Sequence, residues 1–232
     1  METSEKNVPV GTLPRAILQL ARFSLFLAIT LFLPGGIAWR AGWLFFAVLI
    51  TLTVLSSMYL WRVNPDIFVA RNKIHKGTKR WDKVILVLFS GSFLGVFVVA
   101  GLDARCGWSS IPLWLMGLGY LPITLGMVAS DWACAVNQFA ERSVRIQSDR
   151  GHKVIDAGPY AIVRHPLYLA CIFLLGGAPL SLRSYWAFIP VAAGIVVLVV
   201  RTVLEDRTLQ DELDGYKDYA SRVRYRLIPG IW

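Results

Sequence analysis

Six long apolar runs constrain this chain more than any other feature, because helices that cross a membrane are the structure such runs form. A run of roughly 20 apolar residues spans a bilayer as an α-helix, which satisfies its own backbone hydrogen bonds. The runs cover residues 16–37, 43–61, 84–103, 111–131, 166–182 and 185–204. With 56% hydrophobic residues in a chain of 232, the sequence predicts an all-α, polytopic integral membrane protein of about six spans.

The fifth run is short and is interrupted by helix-breaking residues, Gly176, Gly177 and Pro179. It predicts a tight hairpin in which the fifth and sixth spans meet at a turn over residues 181–184. The alternative is one long broken helix, which reduces the count to five spans.

The formal net charge of +9 is concentrated in alternate connections between the runs. Seven Lys and Arg lie at residues 62–83, five at 142–164 and six at 201–226, whereas the other three connections carry one each. Because cytoplasmic loops are enriched in Lys and Arg, this alternation predicts six spans with both termini cytoplasmic. The charges do not lie on one amphipathic face, so we expect no nucleic-acid partner.

A compact polar stretch, GHKVIDAGPYAIVRHPLY, lies between the fourth and fifth runs at residues 151–168; we call it the motif segment. Its Gly-Pro pair predicts a turn, and Pro166 suits the first turn of a helix. A helix start favours an anion, and Arg164 and His165 stand at that point. One interpretation is a ligand site for a carboxylate or phosphate. The other is an anchor in which Arg164 reaches lipid phosphates.

A second polar cluster begins where the sixth run ends, with Arg201, Glu205 and Asp206. Charged groups at a membrane boundary are costly unless they are paired or used. Arg201 and Glu205 are four residues apart, which allows a local salt bridge. Alternatively, Glu205 or Asp206 accepts hydrogen bonds from a ribose diol or an ammonium group. This cluster and the motif segment are predicted on the same side of the membrane, so both can build one site.

Two other polar stretches are less specific. Residues 61–83 predict an interfacial helix that carries Ile67, Phe68 and Val69 into the headgroup layer, with His75 solvated. Residues 137–150 predict either a solvated loop or a cover over the ligand. We expect no metal site, because the three histidines lack zinc-ligand spacing and no cysteine joins them: His75, His152 and His165.

At these positions the sequence resembles the isoprenylcysteine carboxyl methyltransferase family and its phospholipid N-methyltransferase relatives. The matching residues are His152, Val154, Gly158, Pro159, Tyr160, Val163, Arg164, His165, Pro166 and Tyr168, then Glu205, Leu209, Tyr216, Tyr219 and Pro229. They cover about the last 100 residues, and the first three runs match in hydropathy alone. The chain departs from the family at Asp206, where a second glutamate is frequent, and at Ala170, where glycine is usual.

The resemblance implies an S-adenosylmethionine pocket at the cytoplasmic ends of the last two spans, open toward the lipid. The residues it assigns to the cofactor are His152, Val154, Gly158, Tyr160, Arg164, His165, Pro166, Tyr168, Glu205 and Asp206. Arg164 and Glu205 are the candidate catalytic residues. The candidates for binding the acceptor are Tyr219, Arg224 and Arg226, and membrane anchoring is the alternative for the two arginines. The chain is then one membrane domain over residues 1–232, with a four-span scaffold at 1–131 and a cofactor-binding, methyltransferase-like region at 132–232.

The activity implied is methyl transfer to a lipid-like or prenylated acceptor in the bilayer. Carboxyl O-methylation of the isoprenylcysteine type is the first choice, and amine N-methylation stays open. The end of the chain also resembles NADPH-dependent membrane sterol and steroid reductases, which typically carry Asn where this chain has Leu167 after the His-Pro pair. A non-catalytic, lipid-binding polytopic protein is the third possibility. The polar groups collect at one membrane face and not in mid-span, which favours an enzyme.

Overall fold

In a computed structural model, the chain is described at residues 12–71 and 77–232, which form helices, turns and loops without a strand. The α-helices of this part are α1 Thr12–Gly35, α2 Arg40–Val63, α3 Ile67–Ala70, α4 Arg80–Cys106, α5 Leu113–Val136, α6 Pro166–Ser181, α7 Phe188–Glu212 and α8 Tyr216–Arg222. Single 3₁₀ turns lie at Ser148–Arg150 and Gly158–Ala161. The predicted all-α class is confirmed.

The helices α1, α2, α4, α5 and α7 are long and apolar enough to cross a membrane, so the chain is an integral membrane protein. The apolar helix α6 has 16 residues, about 24 Å at 1.5 Å per residue. This is shorter than the roughly 30 Å hydrocarbon core, so an upright α6 leaves at least one of its ends below the membrane surface. A turn over residues 182–187 joins α6 to α7, close to the predicted hairpin turn.

Close contact with α5 fixes the position of α6. A Cβ added at Gly177 would lie 2.4 Å from the carbonyl oxygen of Gly119, and one at Gly126 would lie 2.7 Å from the carbonyl oxygen of Ala170. Small residues at such crossings let membrane helices approach one another closely. Because α6 begins at Pro166, this packing also places the end of the motif segment against α5.

The end of the bundle away from the motif segment is closed by a buried carboxylate. Asp103 is 1% exposed and accepts hydrogen bonds from the backbone N–H and hydroxyl of Ser109 and from the hydroxyl of Ser184. Arg183 Nε donates to Ile111 O at 2.7 Å. The α4–α5 connection is therefore tied to the α6–α7 turn, and this face is occupied by structural contacts.

At the other end, which we call the motif end, the short helix α3 packs on the protein. Ile67 is buried against Leu60, Cys134 and Ala140, whereas Val69 is exposed. Gln19 Nε2 donates to the carbonyl oxygen of Phe68 at 3.1 Å and ties α3 to α1. A helix of four residues is therefore present at the predicted place, but Ile67 packs into the protein and does not extend into a headgroup layer. His75 lies outside the described residues.

The C-terminal part of the chain folds back onto the motif segment. α7 runs to Glu212, Gly215 adopts a φ of 78°, and α8 follows. Residues 223–232, which we call the tail, accept backbone hydrogen bonds of 2.9 Å from Arg164 N to Tyr225 O and from His165 N to Arg226 O. The tail therefore docks on the motif segment.

Candidate functional site

A cavity of about 520 Å³ opens at the motif end, between α4, α5, α6 and α7. Its volume lies within the range of small-molecule sites. The wall combines polar residues of the stretch 137–155, the motif segment and the end of α7 with apolar residues of α4 and α6. The apolar part includes Phe89 and Phe93 of α4, and the polar part includes His152 and Glu205.

The stretch 137–150 forms one wall of this cavity, as the interpretation of a cover over the ligand requires. Arg145 is held between two acids, with 2.9 Å to Glu141 and 2.6 Å to Asp149. These hydrogen bonds raise the pKa of the Arg145 guanidinium above its ordinary value. The buried Gln147 donates to Phe139 O at 2.7 Å. The stretch is thus a folded polar layer in which Phe139 and Val144 are buried.

His152 lies on the cavity wall with one ring nitrogen already used. Its Nδ1 accepts a hydrogen bond from Gln147 N at 3.3 Å, and its ring packs on Phe139 with 4.8 Å between centroids. Partial burial and the positive charges of Arg145 and Arg150 lower the pKa of His152 below the ordinary value of 6.5, against the opposing charge of Glu141. The imidazole is therefore neutral at pH 7, and Nε2 is left for a ligand.

Arg164 is a junction between three parts of the site. Its Nε and Nη2 donate to both oxygens of Asp206 at 2.7 and 2.9 Å, and Nη1 donates to the carbonyl oxygens of Val223 and Arg224. Burial disfavours the charged guanidinium, but the hydrogen bonds and charge of Asp206 raise the pKa of Arg164. Most of its donors are thus committed to holding α7 and the tail against the motif segment.

Asp206 is fully buried and is the acceptor at the centre of this junction. Besides Arg164, it accepts from Arg226 Nε at 2.9 Å, Gln210 Nε2 at 2.9 Å and the Tyr216 hydroxyl at 3.1 Å. His165 Nε2 lies 3.4 Å from its Oδ1. With its oxygens occupied in this way, Asp206 holds the site together.

Glu205 lies on the cavity wall, and the Tyr168 hydroxyl donates to its carboxylate. The Tyr168 ring is stacked with His165, 5.6 Å between centroids, and the guanidinium of Arg201 lies 5.3 Å from its centroid. Arg201 does not form the predicted local salt bridge with Glu205. It pairs instead with Asp82 at 2.9 Å.

Asp82, in the first turn of α4, is a residue that the sequence interpretation missed. It is fully buried and also accepts from Val144 N at 2.7 Å. One signal was available in the sequence, since an acidic residue at the start of an apolar run needs a partner. The sequence did not identify Arg201 as that partner, 119 positions away.

The structure brings most of the predicted cofactor residues to one cavity. The wall includes His152, Val154, Tyr160, Arg164, His165, Pro166, Tyr168 and Glu205, together with the predicted acceptor residue Tyr219. Gly158, Asp206, Arg224 and Arg226 stand outside the wall as the described residues define it. Gly158 forms the predicted turn, with a φ of 58°. The assigned roles of all these residues stay predictions.

The apolar side of the cavity leads toward a second cavity of about 220 Å³ inside the bundle. Phe93 contributes to the walls of both. The second cavity is surrounded by apolar side chains, among them Phe45, Ile123, Met127 and Leu174. Space for an apolar chain therefore adjoins the cavity that has the polar wall.

No group of three or more His, Cys, Asp or Glu that could hold a metal ion occurs in the part of the chain that the structure describes. The three cysteines are free.

Comparison with known proteins gives one match that covers the site. Residues 128–211 match the isoprenylcysteine carboxyl methyltransferase (ICMT) family. The matched segment is a little over a third of the chain. It contains the motif segment, α6 and the polar residues Arg201, Glu205 and Asp206 of α7. No curated protein matches the sequence.

Proposed function

We propose, from the match of residues 128–211 to the isoprenylcysteine carboxyl methyltransferase family, that this membrane protein transfers a methyl group from S-adenosylmethionine to the carboxylate of a prenylated cysteine. The family supports a membrane methyltransferase that acts on prenylcysteine. The cofactor, the O-methyl product and the residues in each role are our proposal.

The observation that carries the proposal is the composition of the main cavity along its length. Its wall is polar at the motif end, with His152 and Glu205, and apolar between α4 and α6, with Phe89 and Phe93. A prenylcysteine has the same order, a charged head and a long hydrocarbon chain. Burying such a chain contributes about 0.8 kcal/mol for each CH₂ group, so the apolar part of the site supplies the binding free energy and the polar part sets the orientation.

The donor set fits a nucleoside that carries an amino acid. Glu205 offers a carboxylate for a ribose diol or an ammonium group, and neutral His152 offers Nε2. Aromatic faces suited to a purine or a cationic sulfur are contributed by Phe139, Tyr160 and Tyr216. When bound, S-adenosylmethionine supplies an electrophilic methyl group, which a carboxylate accepts without giving up a proton.

The side chains therefore have to bind the cofactor and the acceptor and orient them toward each other, and they do not have to transfer a proton. Proximity and orientation supply a large part of the rate enhancement in such a reaction. Tyr168 fixes the carboxylate of Glu205, and Arg201 and His165 fix the ring of Tyr168. The folded stretch 137–150 forms one wall of the cavity, and in this proposal it limits the entry of water, which strengthens the electrostatic interactions inside.

The length of α6 supports access from the bilayer. The helix starts at Pro166 on the cavity wall and is shorter than the hydrocarbon core. A motif segment below the membrane surface can meet an acceptor whose chain stays in the lipid. We also propose that both termini are cytoplasmic, because the Lys- and Arg-rich connections all lie at the motif end.

The test is a transfer assay with the full chain purified in detergent, tritiated S-adenosylmethionine and S-farnesylcysteine. The proposal predicts tritium in a product that releases methanol on mild alkali, as a methyl ester does. The carboxamide of S-farnesylcysteine, which has no carboxylate, is the matched control. Phosphatidylethanolamine is the alternative acceptor. Label in phosphatidylethanolamine instead would make the protein an N-methyltransferase, and label in no acceptor would overturn the proposal.

A further inference from the structure

The cations on the wall of the main cavity divide into paired and unpaired groups. Arg145, Arg164 and Arg201 have carboxylate partners in Glu141 and Asp149, Asp206, and Asp82 respectively. Arg71, Arg142 and Lys153 also line the cavity. None of these three forms a salt bridge with a carboxylate of the described residues, and the two arginines among them carry the planar guanidinium that suits a carboxylate.

Arg71 is held in place by the packing of the helix that precedes it. It caps the C-terminus of α3, with its N–H bonded to Ile67 O at 2.9 Å. α3 is fixed by the buried Ile67 and by Asn64, whose side-chain amide donates to Cys134 O at 2.7 Å. Arg71 Nη1 donates to Cys134 Sγ at 3.7 Å, which is a weak acceptor. The guanidinium is therefore positioned, while donors remain for another acceptor.

Arg142 reaches the same region from the stretch 137–150. Its backbone carbonyl accepts from Arg201 Nη2 at 2.6 Å, so its main chain is anchored to the wall, while the residue keeps access to solvent. Partial burial and the positive charge of Arg71 lower the pKa of the Arg142 guanidinium. Two positively charged side chains thus contribute to the wall of the same cavity.

An anion placed between these two guanidinium groups would remove their repulsion and use their free donors. Guanidinium groups bind planar carboxylates through paired hydrogen bonds, and such charge-assisted bonds are among the strongest in proteins. The pair stands near the ends of α5 and α6, where the wall includes Ser130, Asn137 and Leu167.

We propose that Arg71 and Arg142 bind the carboxylate of the methyl acceptor and so select an acidic substrate. The inference rests on the proposed function and deepens it. It assigns acceptor recognition to the α2–α4 connection, outside the segment that matches the family. The same chemistry could hold the phosphate of a membrane lipid, and the experiment separates the two sources.

The experiment compares the full chain with Arg71→Gln, Arg71→Lys and Arg142→Gln in vesicles of phosphatidylcholine. Arg80→Gln, at an exposed arginine that begins α4, is the matched control. We expect Arg71→Gln and Arg142→Gln to raise KM for S-farnesylcysteine by about tenfold or more, as for loss of a charge-assisted hydrogen bond. Affinity for S-adenosylhomocysteine should stay unchanged, which shows that the variants are folded. Arg71→Lys should recover part of the loss.

A second arm measures inhibition by the carboxamide of S-farnesylcysteine, which has the same chain without the charge. Arg71→Gln should leave inhibition by the carboxamide unchanged, so that the preference for the acid falls. Equal weakening of acid and carboxamide would overturn the inference. So would a defect that appears only when phosphatidylglycerol is added, because that assigns the site to a lipid phosphate. Absence of methyl ester with the unsubstituted protein would overturn the proposed function and, with it, the inference.

Discussion

Arg201 of α7 forms a buried ion pair with Asp82 of α4, although Glu205 lies one helical turn away on its own helix. The pair joins α4 to α7 at 2.9 Å, and both side chains are at least nine-tenths buried. Its guanidinium also lies over the ring of Tyr168, whose hydroxyl donates to Glu205. A residue outside the matched segment thus positions the group that faces the cavity.

Removing one member of this pair should unfold the protein at markedly lower temperature. Asp82→Ala leaves a buried guanidinium unpaired, a change that typically costs about 3–5 kcal/mol. The double variant Asp82→Leu, Arg201→Met should recover stability, because hydrophobic replacements of a buried pair are often neutral. Its affinity for S-adenosylhomocysteine should nevertheless stay below that of the unsubstituted protein, because the Tyr168 ring has lost the Arg201 guanidinium beside it.

Thermal melting in detergent and calorimetry measure these two effects separately. Glu212→Gln is the control, because its pair with Lys79 is largely exposed and is worth little. A double variant with full ligand affinity would contradict the positioning role of Arg201.

Asp206→Asn should release the tail from the motif segment. The substitution removes the charge that Arg164 and Arg226 share, and each hydrogen bond to a charged group is worth about 1.5–3 kcal/mol. We expect faster proteolytic cleavage within residues 223–232, measured by mass spectrometry, together with weaker ligand binding. Asp156→Asn, which breaks the exposed pair with Arg222, should be cleaved at the rate of the unsubstituted protein. If Asp206→Asn were cleaved at the same rate as the unsubstituted protein, the tail would be held by other contacts.

Gly177→Ala should destabilise the bundle, whereas Gly176→Ala should be tolerated. A methyl group at Gly177 meets Gly119 O at 2.4 Å, but one at Gly176 meets nothing within 4 Å. Overpacking of this kind costs about 1–3 kcal/mol. The measurement is the melting temperature of the two variants in the same detergent, and similar values would show that α5 and α6 can move apart.

Acidification should destabilise the cavity wall through His152. Its pKa is below the ordinary value in the folded protein, so the unfolded chain binds the proton more tightly. The stability it contributes is therefore complete above about pH 6.5 and is lost as the pH falls through the lower folded pKa. Protonation also removes Nδ1 as the acceptor for Gln147 N. When melting temperatures are measured between pH 8 and pH 5, His152→Gln should lose less stability than the unsubstituted protein. Melting temperatures that fall in parallel for the two proteins would contradict the role of His152.

The sequence predicted the membrane helices well because a long apolar segment in a bilayer satisfies its own backbone hydrogen bonds as an α-helix. The start of α6 at Pro166 and the turn at Gly158 follow from local rules for proline and glycine. The sixth apolar run ends at residue 204, whereas α7 continues to Glu212, since the apolar pattern stops before the backbone hydrogen bonding of the helix does.

The sequence predicted the site residues that belong to one short stretch of the chain. It missed those whose role depends on a partner far away in the sequence. Glu205 and Tyr168 reach the cavity as expected, but Asp206 is turned inward to Arg164. Asp82, Arg71 and Arg142 were not identified, because their partners and neighbours lie on other helices and no pattern of spacing connects them. Arg226, a candidate for the acceptor, pairs with Asp206.

The central claim is that the main cavity binds S-adenosylmethionine, and calorimetry of the detergent-purified protein tests it most directly. S-adenosylhomocysteine and NADPH are titrated separately into the unsubstituted protein, Glu205→Gln and the exposed control Glu212→Gln. We predict micromolar binding of S-adenosylhomocysteine, weakened about tenfold or more in Glu205→Gln, which is about 1.4 kcal/mol, and unchanged in the control. Binding of NADPH in its place, or binding of neither, would contradict the account.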